Sequence, residues 1–166
     1  MNREQYVRMT SRVRRATDAL PGGAGWLSAP TYLCAALYIG ALLHMALTRD
    51  AHLLRALLVP AACFLVVTAL RPAINRERPY DRFNAPPIGR YRRGKGKSMP
   101  SRHTASAAAI AFAVIYAFPT PPVAAGMLTL CAVIAALRVL SGQHYATDVL
   151  AALLLSGALS AVGYLV

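Results

Sequence analysis

An all-α integral membrane bundle, with about five transmembrane helices and a basic amphipathic interfacial helix ahead of them, is the fold class that the sequence predicts. Three observations lead there. Of the 166 residues, 57% are hydrophobic. Only 14% are charged, against about 25% in an ordinary soluble domain. The charges also sit in clusters, with long apolar gaps between them. The length suits one domain, residues 1–166. So high an apolar content excludes a disordered basic tail. Cys34, Cys63 and Cys131 stand far apart in apolar runs, which excludes a disulfide scaffold and argues against structural zinc.

Residues 1–22 form the first element. Arg3, Arg8, Arg12, Arg14 and Arg15 make it basic, and Tyr6, Met9, Val13, Ala16 and Leu20 recur at three- and four-residue steps. On a helix they make an apolar stripe, so the segment is expected to lie in the headgroup layer; the alternative reading is a frayed basic tail. Asp18, Pro21, Gly22 and Gly23 follow the arginines where a signal peptide would place its apolar region.

The spans come next. Residues 19–48, 56–70, 103–137 and 149–166 hold no Asp, Glu, Lys or Arg. A membrane helix needs about 20 mostly apolar residues, which predicts spans near 31–48, 53–70, 103–118, 123–140 and 149–166. Pro119, Pro121 and Pro122 divide the longest gap into two spans. A soluble bundle is the rival reading, but no charged face remains to solvate such helices. The third to fifth spans are rich in Ala, Gly, Ser and Thr, which lets membrane helices approach closely. The sequence leaves a homo-oligomer open.

Two polar segments interrupt the spans. Residues 71–102 carry Pro72, Pro79, Pro86, Pro87 and Pro100 around a strongly basic 90–97 run. That run suits anionic headgroups or a diphosphate, or a solvated loop; nothing else in the sequence speaks for nucleic acid. Residues 141–148 form a short loop. Five spans alternate sides, so residues 1–30, 71–102 and 141–148 share one face.

Three clusters meet on that face. One is Arg71, six residues, then Arg78-Pro79; another is Pro100-Ser101-Arg102-His103; the third is Arg138, five residues, His144, three residues, Asp148. Arginines clamp phosphate through forked, charge-assisted hydrogen bonds, and ionisable groups beside membrane spans are costly and functional by default. Ser101 precedes a helix whose first N–H groups favour an anion. If the fifth span is helical from its start, His144 and Asp148 are neighbours one turn apart. Asp148 then accepts from one ring nitrogen and leaves the other free to attack. His103 supplies a second imidazole for proton transfer.

The set resembles the type 2 phosphatidic acid phosphatase superfamily, membrane lipid phosphate phosphatases that share a helical core with vanadium haloperoxidases. Its pattern is Lys, six residues, Arg-Pro; then Pro-Ser-Gly-His; then Ser-Arg, five residues, His, three residues, Asp. The resemblance spans residues 71–148 and implies roles. His144 would be the nucleophile that forms a phosphohistidine, Asp148 its orienting partner and His103 the proton donor to the leaving group. Arg71, Arg78 and Arg138 would hold the phosphoryl oxygens, with Ser101 and Arg102 assisting. Three positions depart from the pattern. Arg71 replaces Lys and keeps the charge. Arg102 replaces Gly, removing a close backbone approach and adding a guanidinium. Leu137 replaces Ser and removes a hydrogen bond. The family commonly has six spans, against five here.

These readings imply a metal-independent lipid phosphatase with no cofactor. Of the six carboxylates only Glu77 and Asp81 are close in sequence, too few for a two-metal centre. The expected substrate is a phosphorylated lipid: a polyprenyl phosphate or diphosphate, phosphatidate, phosphatidylglycerophosphate, or a phosphorylated polyprenyl-linked sugar. The alternative is a non-catalytic lipid-binding or assembly protein that keeps the pocket. Haloperoxidase chemistry would need vanadate. The partners are the lipid and a bilayer containing anionic lipids, and the site of residence is a bacterial cytoplasmic membrane. All the Lys and Arg residues except Arg49 and Arg55, 16 of 18, fall on the active face. The positive-inside rule therefore turns that face to the cytoplasm, whereas most bacterial members of the family work on the outer side.

Overall fold

The computed structural model describes residues 1–89, 91, 94 and 96–165. The basic run expected at 90–97 lies partly outside them, at Arg90, Arg92, Arg93 and Lys95, as does Val166 of the last expected span. The described residues fold as α1 (Arg3–Asp18), a 3-10 turn (Gly23–Ser28), α2 (Ala29–Thr48), α3 (Leu53–Ile74), α4 (Pro79–Arg82), α5 (Arg102–Ala117), α6 (Pro121–Leu140) and α7 (Ala146–Leu165). Among them there is no strand.

The local signals explain most boundaries. Asn2 and Gln5 form a reciprocal capping box: Gln5 N–H donates to Asn2 Oδ1 at 2.9 Å and Asn2 N–H to Gln5 Oε1 at 3.0 Å. Proline occupies the first turn of α2, α4 and α6, where its missing N–H costs nothing. Helix α3 runs through Pro60 and Pro72, one turn beyond the predicted span, and stops at Asn75 in the left-handed region with φ of 40°.

Helix α5 is the centre of the bundle, in contact with α2, α3, α6 and α7. Its 16 residues make a rod about 24 Å long, shorter than the roughly 30 Å hydrocarbon layer. Protein rather than lipid surrounds it, so its length need not match the bilayer. Thr104, Ala105, Ala107, Ala108, Ala109, Ala111 and Ala113 are all buried, and these small side chains let the neighbouring backbones close in. Gly163 on α7 serves the same end, since a Cβ there would strike Val59 of α3. The other four expected spans are long and apolar enough to cross a membrane, within Gly23–Thr48, Leu53–Arg82, Pro121–Leu140 and Ala146–Leu165. Their large apolar side chains face outward; Leu47 is 85% exposed and Leu154 66%. A lipid environment satisfies such a surface where water would not.

At one end of the bundle the polar segments are tied together. Ile88 N–H donates to the Ser141 carbonyl at 2.9 Å, Ser98 N–H to that of Arg76 at 2.9 Å and Ser101 N–H to that of Asp148 at 3.1 Å. Helix α1 lies across this end. Its packed face is Tyr6, Thr10 and Thr17 rather than the predicted stripe, of which only Tyr6 is buried. The threonines fold their hydroxyls onto helix carbonyls, Thr10 onto Tyr6 at 3.0 Å and Thr17 onto Arg14 at 2.9 Å, and so pack as small side chains. Tyr6 Oη lies 3.2 Å from the Gly142 carbonyl oxygen and 3.4 Å from that of Ala85. Arg3 and Arg14 donate to the carbonyls of Phe83 and Pro87, both at 3.2 Å. The N-terminal helix is thus docked on the loops as well as basic.

Candidate active site

The third cluster turns on the C-terminal end of α6. Arg138 sits in its last turn, and its carbonyl accepts from Gln143 N–H at 3.2 Å and His144 N–H at 3.1 Å. Gly142 makes the turn with φ of +75°, and a Cβ there would fall on Tyr6 and Thr10. Helix α7 begins at Ala146, so His144 stands in the loop rather than on the helix. The turn still brings it to Asp148: His144 Nδ1 and Asp148 Oδ2 are 3.5 Å apart. The imidazole is 3% exposed and the carboxylate is fully buried. Burial pushes the His144 imidazole below its ordinary range, against the opposing pull of Asp148, and the positive fields of Arg78 and Arg71 push the same way.

Asp148 is a buried charge, and such a group requires partners. Arg76 Nη1 donates to its Oδ1 at 2.8 Å. Its Oδ2 accepts from Ser98 Oγ at 2.5 Å and from Tyr145 N–H at 3.0 Å. Neither Arg76 nor Ser98 was among the sequence-level candidates. The six-residue spacing that singles out Arg71 and Arg78 passes over Arg76 between them, and Ser98 lies just ahead of the second cluster. A search for partners to one lone carboxylate beside many arginines could have found Arg76.

Arg71 and Arg78 reach the same place from α3 and α4. Arg71 is buried at the last turn of α3, where Nη2 donates to the Lys97 carbonyl. Arg78 precedes α4, donates to the Gly96 carbonyl at 3.3 Å and lies 5.6 Å over the Tyr80 ring. Charge interactions link Arg71 with Arg78, Arg102 and Asp148. Ser101 precedes α5 and is fully buried; its hydroxyl accepts from Thr104 Oγ1 at 3.1 Å. Arg102 and His103 open α5 and are exposed. Arg138 Nη2 donates to Thr31 Oγ1 at 3.2 Å, and its buried Nε has no hydrogen-bond partner among the described residues. The charges of Arg138, His144, Arg102 and Arg71 all reach His103. The structure therefore gathers the eight predicted site residues at one end of the bundle.

Two cavities meet at His103. An apolar one of about 400 Å³ runs between α2, α3, α5 and α6, lined by Cys34, Ala35, Phe64, Ala107, Ile110 and Ile134 together with Arg102. A more polar one of about 310 Å³ is lined by Ser28, Tyr32, Gly89, Arg138, Ser141 and Gln143. Thr31 and His103 belong to both. Among the described residues, no three His, Cys, Asp or Glu side chains group as a metal centre would require.

A helical membrane bundle with imidazoles and guanidinium groups converging at one end is the class that fold and site define. The PAP2 superfamily matches residues 52–166, well over half of the chain, and the protein belongs to that superfamily. No curated protein matches it by sequence. Two solved structures are similar in fold. The first transmembrane PAP2 type phosphatidylglycerolphosphate phosphatase from Bacillus subtilis is 21% identical with a TM-score of 0.72, over 96% of this chain and 83% of that one. LpxE of Aquifex aeolicus is 18% identical with a TM-score of 0.74, over 98% of this chain and 93% of that one. The apolar helices and these neighbours make the chain an integral membrane protein.

Proposed function

We propose that the chain, a single domain of residues 1–166, is a metal-independent phosphatase for phosphorylated lipids that works through a phosphohistidine. The observation that carries this reading is the meeting of an apolar slot and a polar cleft at His103, beside the buried His144–Asp148 pair. An amphiphilic ester fits such a junction: its chain enters the slot and its phosphate the guanidinium groups. Membership of the superfamily and the phosphatase named among the similar folds agree.

The chemistry follows from the placements. With the proton on Nδ1, His144 keeps the Nε2 lone pair free. Nε2 attacks phosphorus, and the bond from phosphorus to the lipid oxygen breaks as His103 passes a proton to that oxygen. Asp148 offsets the positive charge that the imidazole then carries. Water next gives a proton to His103 and attacks phosphorus; the phosphorus–nitrogen bond breaks and its electron pair returns to Nε2. Arg71, Arg78 and Arg138 neutralise the phosphoryl oxygens throughout, with Ser101 and Arg102 beside them, so catalysis is positioning and electrostatics.

Purified protein in EDTA, given a panel of polyprenyl phosphates and diphosphates, phosphatidate, phosphatidylglycerophosphate and phosphorylated polyprenyl-sugars, should release inorganic phosphate. His144→Ala should release none, and quenching the wild type should trap an acid-labile phosphoprotein. Equal release by both proteins would refute the mechanism; no release by either would favour a lipid-binding protein.

A further inference from the structure

We propose that Arg76 and Ser98 are positioning residues for the His144 nucleophile, acting through the two oxygens of the Asp148 carboxylate. The inference rests on the phosphatase reading above. Nothing in that reading uses either residue.

The two oxygens of Asp148 are divided between different partners. Oδ1 belongs to Arg76, at 2.8 Å. Oδ2 holds the Ser98 hydroxyl and the Tyr145 amide and faces His144. A carboxylate gripped at one oxygen by a guanidinium cannot swing about its last bond, so the other oxygen stays aimed at the imidazole. Arg76 is itself fixed. The same Nη1 donates to Thr147 Oγ1 at 2.7 Å, and its guanidinium carbon stacks 4.3 Å over the Tyr145 ring. Tyr145 and Thr147 flank the start of α7, so Arg76 binds the turn that carries the nucleophile as well as its partner.

Ser98 completes the arrangement. Its Oγ lies 3.5 Å from His144 Nδ1, the distance that also separates Nδ1 from Asp148 Oδ2. The one hydroxyl proton goes to Asp148, the short bond, and a lone pair is left facing the ring. Nδ1 therefore meets two acceptors and no donor, which favours the tautomer with its proton on Nδ1 and Nε2 bare. The backbone joins the two devices, because Ser98 N–H donates to the Arg76 carbonyl.

The side chain of Arg76 is 33% exposed while that of Asp148 is fully buried. Arg76 thus stands between water and the carboxylate, and it takes part of the negative charge that would otherwise fall on His144. The other charged groups facing His144 are Arg71 from α3, Arg78 from the start of α4 and His103 from α5; Arg138 of α6 faces it through its carbonyl. Removing the Arg76 charge leaves Asp148 to draw a proton onto the imidazole at higher pH.

The test uses the full chain in detergent with p-nitrophenyl phosphate, whose own ionisation is common to every variant. Arg76→Gln and Ser98→Ala should each lower kcat roughly tenfold to a hundredfold, the usual effect of losing a residue that orients a reacting one, with KM little changed. Arg76→Gln should also move the acid limb of kcat/KM to higher pH. Arg76→Lys should return that limb to its place but only part of the rate, because an ammonium lacks the flat fork that both pairs and stacks. Wild-type kcat and an unmoved limb in Arg76→Gln and Ser98→Ala, with His144→Ala inert, would overturn this proposal alone. His144→Ala as active as the wild type would overturn the phosphohistidine reading. Should Arg76→Gln fail to fold, Ser98→Ala, which removes a single oxygen, decides the matter.

Discussion

Gly142→Ala should be far more damaging than one methyl group suggests. The residue has φ of +75°, where an L-residue costs about 1–2 kcal/mol. The new Cβ would also overlap the Tyr6 phenol and the Thr10 methyl, so α1 must lift from its seat. Lifting removes the Tyr6 hydroxyl's bond to the Gly142 or Ala85 carbonyl, worth about 0.5–1.5 kcal/mol. It also separates Tyr6 from Phe83, whose ring centroids are 5.3 Å apart, for about 0.5–1.5 kcal/mol more. The sum is roughly 2–5 kcal/mol, of which only the backbone part is independent of Tyr6. A double-mutant cycle separates the two. Denaturant unfolding in detergent, followed through Trp26, the one tryptophan, should show Gly142→Ala costing much less in a Tyr6→Ala background, with a coupling of roughly 1–3 kcal/mol. Phosphate release should fall in the single variant, since Gly142 turns the chain toward His144. A Gly142→Ala cost below about 1 kcal/mol, with no coupling to Tyr6, would refute the account of this loop.

Other outcomes can be checked as directly. On the proposed mechanism His144 must be neutral to attack, and its burial holds its pKa below the ordinary value near 6.5. The acid limb of kcat/KM should therefore stay flat as pH falls through about 6.5 and drop only below it; a limb above that value would contradict the burial argument. Ala35→Phe narrows the slot without touching the phosphate side, so it should raise KM for a long-chain lipid phosphate and leave p-nitrophenyl phosphate unaffected. An equal effect on both would remove the slot from the substrate's path. The positive-inside rule, applied to the charge distribution, predicts a cytoplasmic site. A single cysteine at the exposed position Arg12, with Cys34, Cys63 and Cys131 replaced, should resist an impermeant thiol reagent in intact cells and react after lysis; labelling of intact cells would reverse the orientation.

The bundle and the predicted residues were legible because both rest on strong, local signals. A bilayer rejects charge so firmly that gaps between charged residues mark helices almost to the turn, as with α2 ending at Thr48 and α6 at Leu140. The convergence of Arg71, Arg78, His103, Arg138, His144 and Asp148 needs only the number of crossings, and their spacing matches one known pattern. What stayed hidden depends on the third dimension. Thr10 and Thr17 are polar by composition, yet they satisfy their hydroxyls on their own helix and become packing residues, so the docking face of α1 is rotated from its apolar stripe. Arg76 looks like one more member of a basic cluster until Asp148 is seen to require a partner. Ser98 sits among polar loop residues with nothing to mark it, and only the closure of the loop against α7 gives its hydroxyl a task.

The bond from the Ser101 amide to the Asp148 carbonyl has a mechanical consequence. It rivets the first turn of one helix to the first turn of another, and the two imidazoles ride on either side of that rivet. When membrane thickness changes and the rods lean to suit it, the two imidazoles, proposed above as donor and attacker, stay tied through that bond. The spacing on which the proposed reaction depends is thereby expected to vary little with the lipid around it.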